Sequence, residues 1–300
     1  MKALIDGDVL LYEAGFSGQY VDENGELQIR NFEFVSEVVD DKIAKIVEAT
    51  WTDEPIIYLT YGRHLNKLVN KEAARKGLPP FEYKPNFRFE AAVTQPYKER
   101  GNKKPYHFHN LIAYLLGNYK VKVVEGIEAD DAICLDRDKG VICTRDKDLR
   151  MVNGWHYGWE CGGQPGFPLT ETKGVGTLEL KSKGKLSGTG YKFFSAQRLM
   201  GDGVDNIPGL DRYGPVKVYK LLAHLESKDD LDRVVEAEYE KTLGEGYEKR
   251  LEEVSHLLWM LQEQTEEGYV GYDGRVLPFD TGRNVFRWVG GSCVLPEQTY

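Results

Sequence analysis

The sequence predicts an α/β fold with a central, mostly parallel sheet. Short β-branched runs recur along the first half of the chain, helical patterns lie between them, and acidic residues follow several of them. The runs are 2–5 ("KALI"), 55–60 ("PIIYLT"), 121–126 ("VKVVEG") and 140–144 ("GVICT"), each brief enough to be a buried strand. Helical spacing covers 35–49 and 106–118. In a sheet of this kind, sites form at the carboxyl ends of the strands, and Asp6, Glu128 and Asp146 each stand just after a predicted strand.

The remaining stretches differ in character. Residues 61–105 are basic and punctuated by Pro79, Pro80, Pro85, Pro96 and Pro105, which predicts an elaborated loop or arch rather than core. The Gly- and Trp-rich stretch after Asp148 predicts hairpins, with Trp155, Tyr157 and Trp159 alternating as in a strand. A helical section runs through 195–225, and an amphipathic helix over 247–264 serves as packing. The expected organisation is an α/β core over 1–190 that includes the basic 61–105 arch, a helical region over 191–225, and a C-terminal helical extension over 226–300 packed on the core.

Composition narrows the class. Four widely spaced cysteines without a CxxC pair point to reduced thiols in a cytoplasm rather than to disulfides or zinc. The N-terminal run is broken by Asp6 and Asp8, which excludes a signal peptide, and no later stretch spans a membrane. The net charge of −9 argues against a nucleic-acid partner only until its distribution is considered. Residues 61–122 hold thirteen Lys or Arg against four Glu, and 172–192 is basic again. Phosphate binding is therefore allowed.

Four acidic groupings carry the chemistry: "IDGD" (Asp6, Asp8), "EADD" (Glu128, Asp130, Asp131), "RDKD" (Asp146, Asp148) and "GDGVD" (Asp202, Asp205). Each alone is an ordinary turn or helix start, where acids face the helix dipole. Two unit charges about 4 Å apart repel by roughly 4 kcal/mol at an effective dielectric of about 20, so a convergence of all four calls for a counter-charge. Oxygen ligands without His or Cys suit Mg²⁺ or Mn²⁺ rather than zinc. Two such ions about 4 Å apart activate a water and stabilise a leaving oxygen in phosphodiester cleavage.

The motifs "LIDGD", "GIEADDAI", "ICTRDKDLRMV" and "LMGDGVDNIPGL", in this order over residues 4 to 222, resemble the 5′-nuclease or flap endonuclease family, especially bacteriophage 5′→3′ exonucleases and the 5′-nuclease domains of bacterial DNA polymerases. The resemblance implies a PIN-like core, a helical arch and a helix–three-turn–helix DNA-binding motif. It implies two Mg²⁺ ions, with Mn²⁺ as substitute. Asp6, Glu128, Asp130 and Asp131 look like first-metal residues, and Asp146, Asp148, Asp202 and Asp205 like the second-metal group. Asp6, Asp148 and Lys98 would be catalytic, Lys98 by stabilising charge on the phosphate.

For DNA contact, the resemblance singles out Tyr97 and Lys98 of "QPYKERGNKKP", with Tyr97 stacking on a terminal base, and then Arg100, Lys103 and Lys104. In "GLDRYGPVKVYKLL" it singles out Gly209, Gly214 and Lys217, together with a K⁺ site made from carbonyls of the 202–217 motif. The chain departs from the family where Arg212-Tyr213-Gly214 replaces Gly-Ile-Gly. It departs again at Thr60 and Tyr61, where many relatives carry an Asp; Asp8 is the acid available to compensate.

The implied activity is metal-dependent 5′→3′ exonuclease or flap endonuclease cleavage of duplex or branched DNA, giving 5′-phosphate products. Two alternatives stand beside it: removal of RNA primers from RNA/DNA hybrids by the same site, and non-catalytic binding to DNA structures. Partners would be double-stranded and flapped DNA, RNA/DNA hybrid and phage replication proteins, with no membrane, in a host cytoplasm. His107 and His109 are read as structural, and Cys134 and Cys143 as packed thiols.

Overall fold

The computed structural model describes residues 1–98, 103–279 and 285–294. The chain enters through β1 (Lys2–Asp6) and turns at once into α1 (Gly7–Ser17), whose N-cap is Asp6. Gly7 is required at this turn, because a Cβ there would lie 2.5 Å from the Tyr58 carbonyl oxygen. A hairpin of β2 (Gln19–Val21) and β3 (Leu27–Ile29) leads to α2 (Phe32–Thr50), capped by Asn31, whose side chain accepts from the Phe34 amide at 3.1 Å. Then come β4 (Glu54–Thr60), α3 (Arg63–Arg75), the short α4 (Arg88–Ala91), α5 (Phe108–Asn118) and β5 (Lys120–Val124). They are followed by α6 (Ala129–Leu135), β6 (Gly140–Cys143), β7 (Gly154–Gly158) and β8 (Phe167–Thr172).

A small hairpin of β9 (Leu178–Leu180) and β10 (Leu186–Gly188) precedes α7 (Gly190–Met200). The paired dipeptides β11 (Gly201–Asp202) and β12 (Ile207–Pro208) close a tight loop before α8 (Pro215–Leu222). Gly201 and Gly209 hold this loop shut: a Cβ on Gly201 would lie 2.3 Å from the Gly209 nitrogen, and one on Gly209 would lie 2.2 Å from the Met200 carbonyl carbon. Finally α9 (Lys228–Leu243) and α10 (Tyr247–Leu258) lead to β13 (Val285–Val289) and β14 (Ser292–Val294).

Among the described residues the main sheet has eight strands in the order β14-β13-β5-β4-β1-β6-β7-β8. The pairs from β5 to β7 are parallel, and the outer pairs on both sides are antiparallel. The sheet is therefore mixed and mostly parallel. Its central strands are buried on both faces, which is why they read as continuous apolar runs. Ala3, Ile5, Ile57 and Leu59 pack with Leu10, Val39 and Leu115 from α1, α2 and α5. Leu4, Tyr58 and Ile142 pack with Ile133, Phe194 and Leu257 from α6, α7 and α10.

Two expectations are revised by this packing. The 61–105 stretch is more than a loop, for Leu65, Val69 and Ala73 of α3 and Arg88 and Ala91 of α4 are buried. Among the described residues the 226–300 extension is helical as far as Leu258, and β13 and β14 then extend the main sheet through antiparallel pairing of β13 with β5. The β-branched and aromatic "VFRWV" of β13 buries Phe286 and Trp288 on alternate positions and exposes Arg287 and Val289. Among the described residues, no helix is long and apolar enough to cross a membrane.

Candidate active site

The parallel strands bring the acidic turns to one edge. Asp6 ends β1, Thr60 ends β4, Glu128 caps α6 just beyond β5, and Asp146 follows β6. Together with residues of the β11–β12 loop they line a cleft of about 860 Å³. Among the described residues, seven acidic side chains face it (Asp6, Asp8, Glu13, Glu128, Asp130, Asp146 and Asp205) against two basic ones, Lys98 and Arg145.

Asp6 is buried, with one oxygen accepting from the Val9 amide at 3.0 Å and the other from the Thr144 hydroxyl at 2.6 Å. Burial, and then the Asp8 charge, push its pKa up to about 7. Asp130 has no hydrogen-bond or ion-pair partner among the described residues, and burial followed by the charges of Asp6 and Asp146 raises its pKa well above the usual carboxylate range. Burial raises the Asp146 carboxyl too, although it accepts from the Asp148 amide at 2.8 Å. These three carboxylates repel one another in a desolvated space, and among the described residues none of them has an ion-pair partner. Lys98 acts on Asp130 and Asp146, and Lys147 on Asp146, only from a distance.

Glu128 is different. Burial favours its neutral form, but Lys98 and then Arg88 outweigh this and hold its pKa below the usual range. Lys98 donates to Glu128 at 2.8 Å and lies 3.9 Å from Asp205. Lys98 adopts a left-handed φ of 49°, and its amide donates to the Asp205 carbonyl at 3.1 Å. Asn206 closes the same junction by donating to the Pro96 carbonyl at 2.8 Å. The base of the basic segment is thus fastened to the β11–β12 loop. From the other side, Glu253 of α10 accepts from the amides of Val93 at 2.8 Å and Thr94 at 2.6 Å. Arg250 donates to Glu253 at 2.7 Å and to the Pro208 carbonyl at 2.7 Å.

Asp148 and Asp202 lie beside the cleft rather than along its lining. The Lys147 ammonium sits between them, 3.1 Å from Asp148 and 2.6 Å from Asp202, and Gln197 donates to both. Burial and Asp146 push Asp148 up to about 6, whereas at Asp202 Lys147 overcomes burial and lowers the pKa. Asp205 faces the cleft with its pKa raised, chiefly by burial.

Two residues expected at the chemistry are structural. Asp131 is fully buried and forms a bidentate pair with Arg88, at 2.6 and 2.8 Å, while also accepting from the Leu261 and Glu128 amides at 3.1 Å each. With its oxygens occupied it does not face the cleft, because α6 turns it inward while Asp130 turns outward. Tyr97 is buried at 4 % exposure, and its hydroxyl donates to Glu128 and Asp205 at 3.2 Å each. In this arrangement it ties two acids together and has no ring face free for a base. The residue on the exposed side is Phe89, whose ring meets Tyr97 edge-on with centroids 5.6 Å apart.

The other expected contacts spread outward. Arg100 lies outside the described residues. Lys103 and Lys104 are exposed, with the Lys104 ammonium 4.7 Å from the Phe108 ring centre. Gly209 packs backbone to backbone against Met200, and Gly214 caps α8. Lys217 lies over the Tyr213 ring at 3.1 Å and 3.9 Å from Glu238. Arg212 adopts a left-handed φ of 64°, so the turn keeps a glycine-like backbone without the glycine. His107 bonds the Arg30 carbonyl at 2.9 Å, and Cys134 and Cys143 are buried.

Sequence reasoning missed Arg88, Arg250, Glu253 and Lys147 as residues that shape the site. The Arg88 partners Asp131 and Trp259 are 43 and 171 residues away, and the Glu253 bonds to Val93 and Thr94 span 160 and 159, so no local pattern marks those contacts. Lys147 beside Asp148 and Arg250 three residues before Glu253 do have local partners, but their reach to Asp202 and Pro208 is long-range. Asp8 had a signal, since it follows Asp6 by two positions. Its carboxylate accepts from the Thr60 amide at 3.2 Å, placing an acid at the end of β4 where Thr60 itself supplies none. The Thr60 hydroxyl instead accepts from the Ala129 amide at 2.9 Å and anchors the start of α6.

Among the described residues, no group of three or more Asp, Glu, His or Cys side chains forms a ready-made ion-holding set. The acids share one space without converging on one point. The donor chemistry nonetheless fits a hard divalent cation, because Asp6, Asp130 and Asp146 are oxygen donors short of positive charge.

The fold and the cleft define an α/β protein with an acid-lined cavity at the carboxyl edge of a parallel sheet. No family model matches the chain, and no curated protein matches its sequence. It is similar to solved structures from bacteriophage T5. One, a T5 protein co-crystallised with metal ions, shares 14 % identity at a TM-score of 0.45, over 86 % of this chain and 89 % of that one. A T5 flap endonuclease variant in a pseudo-enzyme–product complex with DNA and metal ions shares 13 % at 0.48, over 84 % and 87 %. A T5 5′-exonuclease mutant shares 14 % at 0.48, over 84 % and 85 %.

Proposed function

We propose that this protein is a divalent-metal-dependent 5′ nuclease acting on duplex and flapped DNA. The observation that carries the reading is the acid-lined cleft at the sheet's carboxyl edge, with seven acids against two bases among the described residues and Lys98 at its rim. A phosphodiester cannot approach such a charge without cations to offset it. Asp6, Asp130 and Asp146, with Asp8 and Glu128 beside them, are the residues to hold one Mg²⁺ or Mn²⁺. Asp148, Asp202 and Asp205 are the acids to hold a second, which requires the Lys147 ammonium to move off Asp148 and Asp202. When bound, the ions supply Lewis-acid polarisation of the phosphodiester and lower the pKa of the attacking water.

The chain's own residues do the rest. Lys98, held by Glu128, offers its ammonium to charge developing on the phosphate. Tyr97 fixes Glu128 and Asp205 relative to each other, and the Pro96–Asn206 and Lys98–Asp205 bonds prevent the rim from drifting. The α7–loop–α8 unit, with Lys217 at its helix start and the left-handed turn at Arg212, suits a phosphate of the duplex away from the cut, and its 202–217 carbonyls are the candidates for K⁺. Contacts of this type read the backbone, so sequence preference is slight and salt dependence steep.

The test is cleavage of a 5′-labelled flapped duplex with Mg²⁺ or EDTA. Labelled fragments only with Mg²⁺ support the reading, and their length separates terminal from junction cutting. Binding without cleavage in either Mg²⁺ or Mn²⁺ rejects it in favour of a DNA-structure-binding protein. An RNA·DNA duplex of the same sequence, run in parallel, reports on primer removal.

A further inference from the structure

The strands that deliver acids to the cleft begin, at their other end, in a basic pocket. Lys2 opens β1, Lys120 opens β5, and Lys139 directly precedes β6. With Lys122 and Arg287 they line a separate cavity of about 260 Å³ floored by Ile56, Val121 and Trp288. Lys2 lines this pocket and Asp6 lines the cleft, so the length of β1, about 13 Å at 3.3 Å per residue, separates the two.

The charge here is under-compensated. Asp136 takes both Lys122 and Lys139, and Glu54 takes Lys120 at 2.8 Å with Lys2 at 3.9 Å. Arg287 is exposed and has no carboxylate partner among the described residues; its register partner across the β13–β5 pair is Lys122. Five cations therefore share two carboxylates. Lys122 also titrates below its ordinary value, first through burial and then despite the bond to Asp136, with Lys139 and Arg287 adding to the repulsion. The apolar floor lowers the local dielectric and strengthens attraction for an entering anion.

We propose that this pocket is a phosphate-binding site, distinct from the cleft and independent of metal. A guanidinium flanked by ammonium groups matches the oxygens of a phosphate or pyrophosphate. The cavity lies below the roughly 300–1,000 Å³ of ordinary small-molecule sites, which suits a group of that size. The phosphate is carried either by a free ligand, as in pyrophosphate or a nucleotide, or by a DNA 5′ end.

Calorimetric titration of the full chain with inorganic pyrophosphate in EDTA tests this. Without divalent ions the acidic cleft repels the ligand, and the comparison with Arg287→Glu separates the pocket from the phosphate contact proposed at Lys217, whether or not the protein is a nuclease. The proposal expects saturable one-to-one binding that weakens at least about tenfold in Arg287→Glu and stays unchanged in Lys98→Ala. Lys139→Glu, outside the strands, repeats the test if the sheet variant does not fold. A 5′-phosphorylated single strand competed off by pyrophosphate, with its unphosphorylated twin silent, assigns the site to DNA ends; pyrophosphate binding alone assigns it to a free ligand. No saturable binding, or binding insensitive to both charge reversals, overturns the proposal.

Discussion

Arg88 and Asp131 form a bidentate ion pair in which neither side chain is exposed, and Arg88 also donates to the Leu257 and Trp259 carbonyls. The pair joins α4, α6 and the end of α10. Asp131→Ala leaves a buried guanidinium unpaired and is expected to destabilise the fold by about 3–5 kcal/mol. Asp130→Ala, one residue away, relieves repulsion with Asp6 and Asp146 and leaves the metal-free stability unchanged or raised. Urea unfolding of the two variants in EDTA checks this; equal losses would reject the separation of roles.

Stability should depend on pH in a direction set by the cleft. In the folded, metal-free protein Asp6 titrates at about 7 and Asp148 at about 6, against 3.8 for the unfolded chain. The folded state therefore binds more protons between these values. The stabilisation is full below pH 4 and is lost as pH rises through 6 to 7. Melting temperature in EDTA should fall across that window, and the rise produced by Mg²⁺ should be larger at pH 7.5 than at pH 5. A Mg²⁺ effect independent of pH contradicts this.

Lys98→Ala should lower single-turnover cleavage by about 10²–10³-fold, since among the described residues it removes the ammonium that lines the cleft and can follow charge onto the phosphate. Divalent-ion affinity should hold or rise, because Glu128 is released from its 2.8 Å partner. Parallel Mn²⁺ titration separates the two effects.

Asp8→Asn keeps an oxygen for the Thr60 amide but loses the charge at the end of β4. Mn²⁺ affinity measured by calorimetry should drop about tenfold with little change in melting temperature. Unchanged affinity would leave Asp8 as a turn residue only.

Glu253 and Arg250 act through position. Glu253→Ala frees the Val93–Thr94 backbone that leads to Lys98, and releases Arg250 from its clamp on Pro208. A displacement of about 1 Å at Lys98 costs up to about 100-fold in rate, so kcat on a flapped duplex should fall at least about tenfold with a smaller change in KM. A loss confined to KM would assign the pair to DNA binding instead.

The main strands, the helices between them, and the arrival of Asp6, Glu128 and Asp146 at one edge were legible in the sequence. These follow from short-range signals: β-branched runs, helical periodicity and acids directly after strands. The place of Asp205 beside them was only implied by the family resemblance. Tertiary structure decided which acids are free. Asp130 and Asp131 are neighbours with the same chemistry, yet one faces the cleft and the other is consumed by Arg88, 43 residues away. It also turned Tyr97 inward, set Lys147 between Asp148 and Asp202, and brought β13 against β5 to complete a basic pocket behind the cleft. A side chain's free charge depends on what long-range folding places within about 4 Å of it, and no local pattern carries that information.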